Sequence, residues 1–248
     1  LWISANPQLV FTVTGRVASV NPGQAIVNAA SFLPSQTPAG SVFSIFGANL
    51  ATNVGQASSV PLPTTLLTTT VMVNGELAPL FYVSASQINA QMPEDIAPGV
   101  ATVVVKDGAS TSNAAAVIVP ATGTPGIVVY GNNRAVVVNQ DGSVNSPTSP
   151  AKVGDILVAY FTGGGPVNAA GPLVTGAPTP SGLSPVAEAN TVKVSGVEAN
   201  VNYIGLTPGS IGLYQANFVV PRVAAGDHPV VIMISGQNSN NPLIAVSN

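Results

Sequence analysis

Hydrophobic and polar residues alternate along this chain in short runs of period two, and the runs are rich in Val, Ile, Thr, Phe and Tyr. Gly, Pro, Asn and Ser bound them, which is the pattern of β-strands between turns. No stretch of ten or more residues places apolar positions at the 3.6-residue helical spacing. The pattern predicts strands over Val10–Val20, Ser41–Gly47, Thr70–Val73, Ala78–Val83, Gln87–Gln91, Ala101–Lys106 and Ala114–Val119. A second series follows at Gly126–Tyr130, Ala135–Asn139, Asp155–Thr162, Thr191–Ser195, Ala199–Gly205, Leu213–Val219, Val230–Ser235 and Leu243–Val246. Asn74-Gly75, Asp107-Gly108 and Asp141-Gly142 supply the positive φ that tight hairpins need, and Ser195-Gly196 and Ser235-Gly236 are weaker versions.

The two series read as one unit written twice. Gly40–Gly47 matches Gly154–Phe161, Val71–Gly75 matches Val192–Gly196, and Gln87–Pro93 matches Gln215–Pro221. Val103–Gly108 matches Val231–Gly236, and chain order is kept throughout. Such self-similarity is the mark of duplication. The expected fold is all-β: two tandem Ig-like β-sandwich domains related by internal duplication, with an extended N-terminal strand. A single continuous barrel is the structural rival. The expected division is an arm or extra strand over 1–21, a first sandwich over 22–120 and a second over 126–248. The connector Pro120–Pro125 is short and stiff enough to hold the pair nearly fixed.

Composition narrows the function classes. Charged residues are only 6% of the 248, against about 25% in ordinary soluble domains. Six Lys and Arg residues cannot build a nucleic-acid footprint. With no Cys, disulfides, Cys-ligated zinc and Cys nucleophiles are excluded, and one His makes a Ser-His-Asp triad hard to assemble. No apolar run is long enough for a membrane-spanning helix. Leu9–Val20 has no basic segment before it, as a signal peptide would.

Asn28–Phe32 followed by Pro38–Leu50, then Leu80–Pro93, Val138–Pro147 and Gly212–Asn217, resembles a C-terminal domain family known mainly from Solibacter and other acidobacterial proteins. The resemblance runs from about Gly23 to the end. It implies a secreted or surface-exposed bacterial protein, often joined to other extracellular β modules, and carries no catalytic residues. Each half also resembles, more loosely, the TIG-type Ig-like fold.

Few residues invite chemistry. In Gln87-Ile-Asn89 and Gln215-Ala-Asn217 the amides share a strand face, where they are expected to bond neighbouring backbone and fix the loops before Pro93 and Pro221. The same amides, with Tyr82, Tyr203 and Tyr214, are the candidates for contacting carbohydrate. His228 reads as a surface residue, and Asp141–Asn145 reads as a turn before it reads as a calcium loop. Gly163–Gly165 lacks the Lys-Ser/Thr of a phosphate loop and suggests a tight connection or a bulge. Lys106, Lys152 and Lys193 are in or near strands, where a Lys–Asn crosslink is conceivable, but exposure is the rule for Lys. No catalytic, cofactor-binding or metal-binding residue is proposed, and no cofactor.

In the N-terminal segment Leu9, Phe11 and Val13 alternate with Val10, Thr12 and Thr14, and Val17 follows. Two readings stand: an extra edge strand on the first sandwich, or a strand donated to a neighbouring subunit. A surface with so few ions repels its own copies weakly and desolvates cheaply. The expected role is a structural subunit of a secreted or cell-surface assembly, partnered by copies of itself. An extracellular glycan- or surface-binding module is the alternative.

Overall fold

The structure, a computed structural model, describes residues 19–20, 26–34 and 36–247. Four sheets form two sandwiches in sequence. In the first, one sheet runs β1 (Ser19–Val20), β3 (Val42–Ala48), β9 (Gln87–Gln91), β8 (Leu80–Val83) and β4 (Gly55–Gln56), with β2 (Ile26–Asn28) also on β3. Its partner sheet runs β11 (Ser110–Thr111), β10 (Gly99–Asp107), β6 (Thr69–Val73) and β5 (Thr65–Leu66), with β12 (Ala115–Val119) on β10 and β7 (Glu76–Ala78) on β6.

The second sandwich repeats the plan. One sheet runs β13 (Gly126–Ile127), β18 (Ile156–Thr162), β23 (Tyr214–Val219), β22 (Val201–Leu206) and β19 (Ser184–Pro185), with β16 (Val137–Val138) on β18. The other runs β14 (Val129–Tyr130), β15 (Arg134–Ala135), β26 (Leu243–Ser247), β24 (Gly226–Ile234), β20 (Asn190–Val194) and β21 (Val197–Ala199). There β17 (Ala151–Lys152) lies on β26 and β25 (Gln237–Asn238) on β24.

Alternation explains why these segments are strands. Along β6 and β12 every second residue is buried, and β23 does the same. Phe43, Ile45, Val71, Val73, Ile88 and Val103 meet in the first core. Leu157, Phe161, Val192, Val194, Phe218 and Ile232 meet in the second, which is a separate cluster. Burial of each large side chain supplies about 1.5–3 kcal/mol, so each sandwich has its own apolar driving force. The β6–β7 hairpin turns at Asn74-Gly75 and the β20–β21 hairpin at Ser195-Gly196, each pair with both φ values positive.

Register makes the duplication concrete and moves one of its matches. Val103 faces Val73 and Val230 faces Val194. The long strands therefore correspond one residue earlier than the sequence match of Val103 with Val231 suggests. The hairpin turns Gly108-Ala109 and Ser235-Gly236 are both two residues long, and the one-residue difference falls in the loop before the long strand, Glu94–Pro98 against Arg222–Ala225, because a slip inside a strand would turn every core residue outward. Ser19 and Val20, placed in the arm on sequence grounds, pair with Ala48 and Gly47. Gly126 and Ile127 pair with the corresponding Thr162 and Phe161, so β1 and β13 hold the same place.

Candidate functional site

The Gln/Asn motifs place their amides on the outward face of β9 and β23. In both copies Gln bonds Asn on the same strand: Gln87 Nε2 donates to Asn89 Oδ1 at 2.8 Å, and Gln215 Nε2 to Asn217 Oδ1 at 3.0 Å. The expected side chain-to-backbone bonds are replaced by this amide–amide bond, because residues two apart on a strand are same-face neighbours. The loop before Pro93 is held instead by Gln91, which sequence reasoning left aside. In the first copy Ser44 Oγ also donates to Asn89 Oδ1, at 2.8 Å, and Ser44 and Gln87 are buried. In the second copy Val158 takes the place of Ser44, and Gln215 and Asn217 are half-buried.

Around the second pair, register sets Tyr160 opposite Gln215 and Tyr203 opposite Asn217. The Tyr203 hydroxyl accepts from Ser184 N and donates to Leu206 O, so the ring crosses Gly205, where a Cβ would strike that hydroxyl. Two half-buried tyrosines thus flank two amides on one uncharged face. Among the described residues, Gln215 Oε1 and Asn217 Nδ2 have no hydrogen bond. Tyr82 lies opposite Asn89 in the first copy. Tyr214 is not available to a ligand: it is buried, lies against Phe161 with the rings tilted by 37° and 5.3 Å between centroids, and donates to Gly165 O. Burial, with Glu94 and Tyr203 adding, pushes its phenol far above the usual range.

Beside this face the two sandwiches lock together, and most of the lock was not visible in the sequence. Thr162 Oγ1 accepts from Val42 N at 2.9 Å and donates to Gly212 O at 2.7 Å. Asn28 Nδ2 reaches Thr162 O at 3.4 Å, and a Cβ on Gly126 would strike the Asn28 amide. Ala30 packs with Val128 and Val136, flanked by Tyr160 and Leu213. A loop of the second sandwich reaches across to the first. Thr175 Oγ1 accepts from Glu94 N at 3.0 Å, while Gly176 donates to Gln91 Oε1 at 2.7 Å and accepts from Leu62 N at 2.8 Å. Gln91 Nε2 donates to Gly40 O and to Glu94 Oε1. Burial first, and Asp95 second, raise the Glu94 carboxyl to about 6.

Gly163–Gly165 has its explanation here. Thr124 N bonds Gly163 O, and a Cβ on Gly163 or Gly165 would meet connector backbone within 2.5 Å. Gly123 N donates to Glu188 Oε2, and Thr124 Oγ1 donates to Gln36 O. The connector is therefore pinned on both sides.

The remaining candidates are structural or exposed. Asp141 Oδ1 accepts from Ser143 N and Oγ, which lowers its pKa and makes the segment a turn. Asn145 bonds both N and O of Ala245, acting as a strand edge in miniature. His228 Nδ1 lies 2.8 Å from Ser195 Oγ, and Nε2 2.7 Å from Ala224 O. Lys106, Lys152 and Lys193 are exposed. Among the described residues no three His, Asp or Glu side chains gather as a metal site, and no helix is long and apolar enough to cross a membrane. Leu9, Phe11, Val13 and Val17 lie outside the described residues.

Residues 29–118 match the IPT/TIG domain model. That span covers β3 to β12 of the first sandwich, and the second shares its strand order. No curated protein matches the chain. Among solved structures the chain is similar to a Bacteroides ovatus protein, SGBP-B of a mixed-linkage glucan utilization locus in complex with a heptasaccharide. Identity is 12% and TM-score 0.35, with 98% of this chain and 46% of that one covered. It is also similar to domains 5–6 of the S-layer protein SbsC, at 14% identity and TM-score 0.30, covering 93% of this chain and 99% of that one. The Escherichia coli adhesin FdeC is similar at 15% identity and TM-score 0.28, covering 93% and 63%. The chain spans about half the length of SGBP-B.

Proposed function

We propose that this chain is a non-catalytic module of an extracellular or cell-surface bacterial protein, and that it binds neutral glycans. The uncharged row of Tyr160, Gln215, Asn217 and Tyr203 carries the reading. Sugars are bound by amides that take and give hydrogen bonds beside flat aromatic surface, and this row offers both with no ion to desolvate. The locked junction serves it by fixing the row relative to the first sandwich. The arm over 1–21 and the division into 22–120 and 126–248 belong to this reading, as does membership of the Solibacter-type family.

The test is affinity electrophoresis against a panel of neutral polysaccharides. Retardation is expected with at least one, and Asn217→Ala combined with Gln215→Ala weakens it about tenfold while the melting temperature holds. Retardation by none, or an unchanged double variant, sinks the reading.

A second reading is a filament subunit joined through Leu9, Phe11, Val13 and Val17. Low charge supports it, and so does the exposed apolar pair Val100 and Ile118, which face each other across β10 and β12. Light scattering with electron microscopy distinguishes the two: regular polymers lost on deleting residues 1–18 favour assembly. The deletion stops there because Ser19 and Val20 pair with β3.

A further inference from the structure

The amide row of the second sandwich divides two tasks between its two tyrosines. Tyr203 spends its hydroxyl, which accepts from Ser184 N at 3.2 Å and donates to Leu206 O at 2.8 Å, and its ring is in neither core cluster. Those bonds draw the ring along β22 over Gly205, which lies opposite Gln215. Tyr160, also opposite Gln215, does the reverse. Its ring packs with Leu213 on Ala30, Val128 and Val136, and its hydroxyl has no hydrogen bond among the described residues. One tyrosine therefore offers a ring and the other a hydroxyl, in one line across β18, β23 and β22.

Between them the amides are oriented. The Gln215 Nε2–Asn217 Oδ1 bond leaves Gln215 Oε1 as an acceptor and Asn217 Nδ2 as a donor, side by side on one strand face. Both are open to solvent, as is the Tyr160 hydroxyl, because the buried polar side-chain atoms without a partner lie elsewhere, at Thr37, Arg134, Thr191 and Thr207. Val158 opposite Asn217, and Ile156 opposite Val219, continue the face without charge. The first copy has the same four places in another state. Phe46 and Tyr82 stand opposite Gln87 and Asn89, but Ser44 also donates to Asn89 Oδ1, Gln87 is buried, and Ser84 stands where Gly205 would let a ring pass.

Each open group makes a demand on the ligand. At β22 the ligand must offer a flat, uncharged ring face. At β23 it must offer two neighbouring hydroxyls, one donating to Gln215 Oε1 and one accepting from Asn217 Nδ2. At β18 it must reach the Tyr160 hydroxyl. β18 and β22 lie about 10 Å apart, one on each side of β23, which is longer than a single pyranose. A pyranose linked through O1 and O4 keeps O2 and O3 free as neighbours while its chain continues on both sides. One linked through O1 and O3 keeps O2 and O4, with the linkage carbon between them.

We propose that this row reads a linear, neutral, 1,4-linked pyranose chain, lying across the strands from β18 to β22 and recognised by the O2–O3 hydroxyl pair of its central sugar. The proposal deepens the glycan reading above and rests on it.

Calorimetric titration of the 248-residue protein tests it. The probes are β-1,4-linked gluco-, manno- and xylopentaose, β-1,3-linked glucopentaose, and glucose. At least one 1,4-linked pentaose should bind at least about tenfold tighter than the 1,3-linked one and than glucose. The 1,3-linked chain has neighbouring free hydroxyls only at its ends, where it cannot also span both tyrosines. Asn217→Asp keeps the acceptor of the Gln215 bond and removes the donor to the sugar. It should bring the 1,4- and 1,3-linked pentaoses within about threefold of each other while the melting temperature holds. Equal binding of the two linkages, equal binding of glucose, or discrimination that survives Asn217→Asp overturns the proposal and leaves glycan binding standing. So does a protein that ignores every 1,4-linked pentaose yet is retarded by some neutral polysaccharide. If nothing in either panel binds, the glycan reading itself has failed.

Discussion

The two sandwiches share a backbone plan and differ on every outward face. On the amide sheet the first copy has Ser44 and Gln87 buried, whereas the second has Val158 and a half-buried Gln215 at the same places. On the opposite sheet the first copy sets Met72 across from Leu77, and the second sets Lys193 across from Glu198. Val100 and Ile118 of the first correspond to Asp227 and Ala245 of the second, where Asp227 pairs with Arg134. Core positions have kept their chemistry because packing punishes change there. The outer faces were free to diverge, and one edge of each copy was spent on joining the other.

The largest test of that comparison asks whether the copies melt together. Phe43→Ala and Phe161→Ala each remove a fully buried ring, one from each core, at a cost of about 3–5 kcal/mol. If the junction couples the cores, calorimetry shows one transition and either variant lowers all of it. Two transitions, each moved only by its own variant, would break the idea of a single locked unit.

Thr162→Val comes next. Thr162 stands where the first copy has Ala48, so its hydroxyl is specific to the junction. Removal leaves Val42 N and Gly212 O without this partner at a cost of about 1–3 kcal/mol. The expected result is one transition splitting into two, with both cores intact by near-ultraviolet dichroism. Ala48→Thr, at the equivalent place in the first copy, should leave the coupling unchanged.

The sequence made the strands, the turns and the duplication legible because each rests on local rules: period two, positive φ at Asn-Gly and Ser-Gly, and repeated order. It also placed Gln87, Asn89, Gln215 and Asn217 on shared faces. What it could not show was which outward residue meets which across the junction. Gln91 continues the alternation of Gln87 and Asn89, and nothing local distinguishes a clamp onto Gly176 from a solvent-facing amide. The burial of Tyr214 was equally hidden, since a Tyr at a strand start suits either face. Gly163–Gly165 announced tight packing without saying that the connector lay against it.

Glu94 gives the first copy a response to pH that the second lacks at the same place: Arg222 follows Pro221 where Glu94 follows Pro93. Its folded carboxyl titrates near 6, above the ordinary 4.5. Below about 4.5 it is protonated whether folded or not, and the contribution is fully present. As pH rises through 6 the folded state must ionise a buried acid, and that stability is lost. Glu94→Gln is therefore expected to stabilise the protein by about 1–2 kcal/mol at pH 7.5 and by nothing at pH 4. Asp107 works in the other direction. Hydrogen bonds from Thr52, Thr68 and Thr69 lower its pKa against a desolvation that opposes them, so its contribution fades as pH falls below the ordinary 3.8. Denaturation curves of Glu94→Gln that ran parallel to the parent at every pH would remove the buried-acid account.

The smallest effect belongs to the outer face itself. Met72→Lys with Leu77→Glu rewrites the first copy as the second, giving it the Lys193 and Glu198 arrangement. Leu77 is 45% exposed and Met72 half-buried, so little core packing is lost. The new cross-strand pair returns about 0.2–1 kcal/mol, which leaves the net change within about 0.5 kcal/mol. The melting temperature should stay within about two degrees. A much larger fall would mean that this face packs against something in the folded protein and is not the free counterpart of the second copy's charged one. The same variant reads self-association. With the apolar strip interrupted, sedimentation at high concentration should show fewer dimers than the parent if the strip is sticky, and an identical profile if divergence there was neutral.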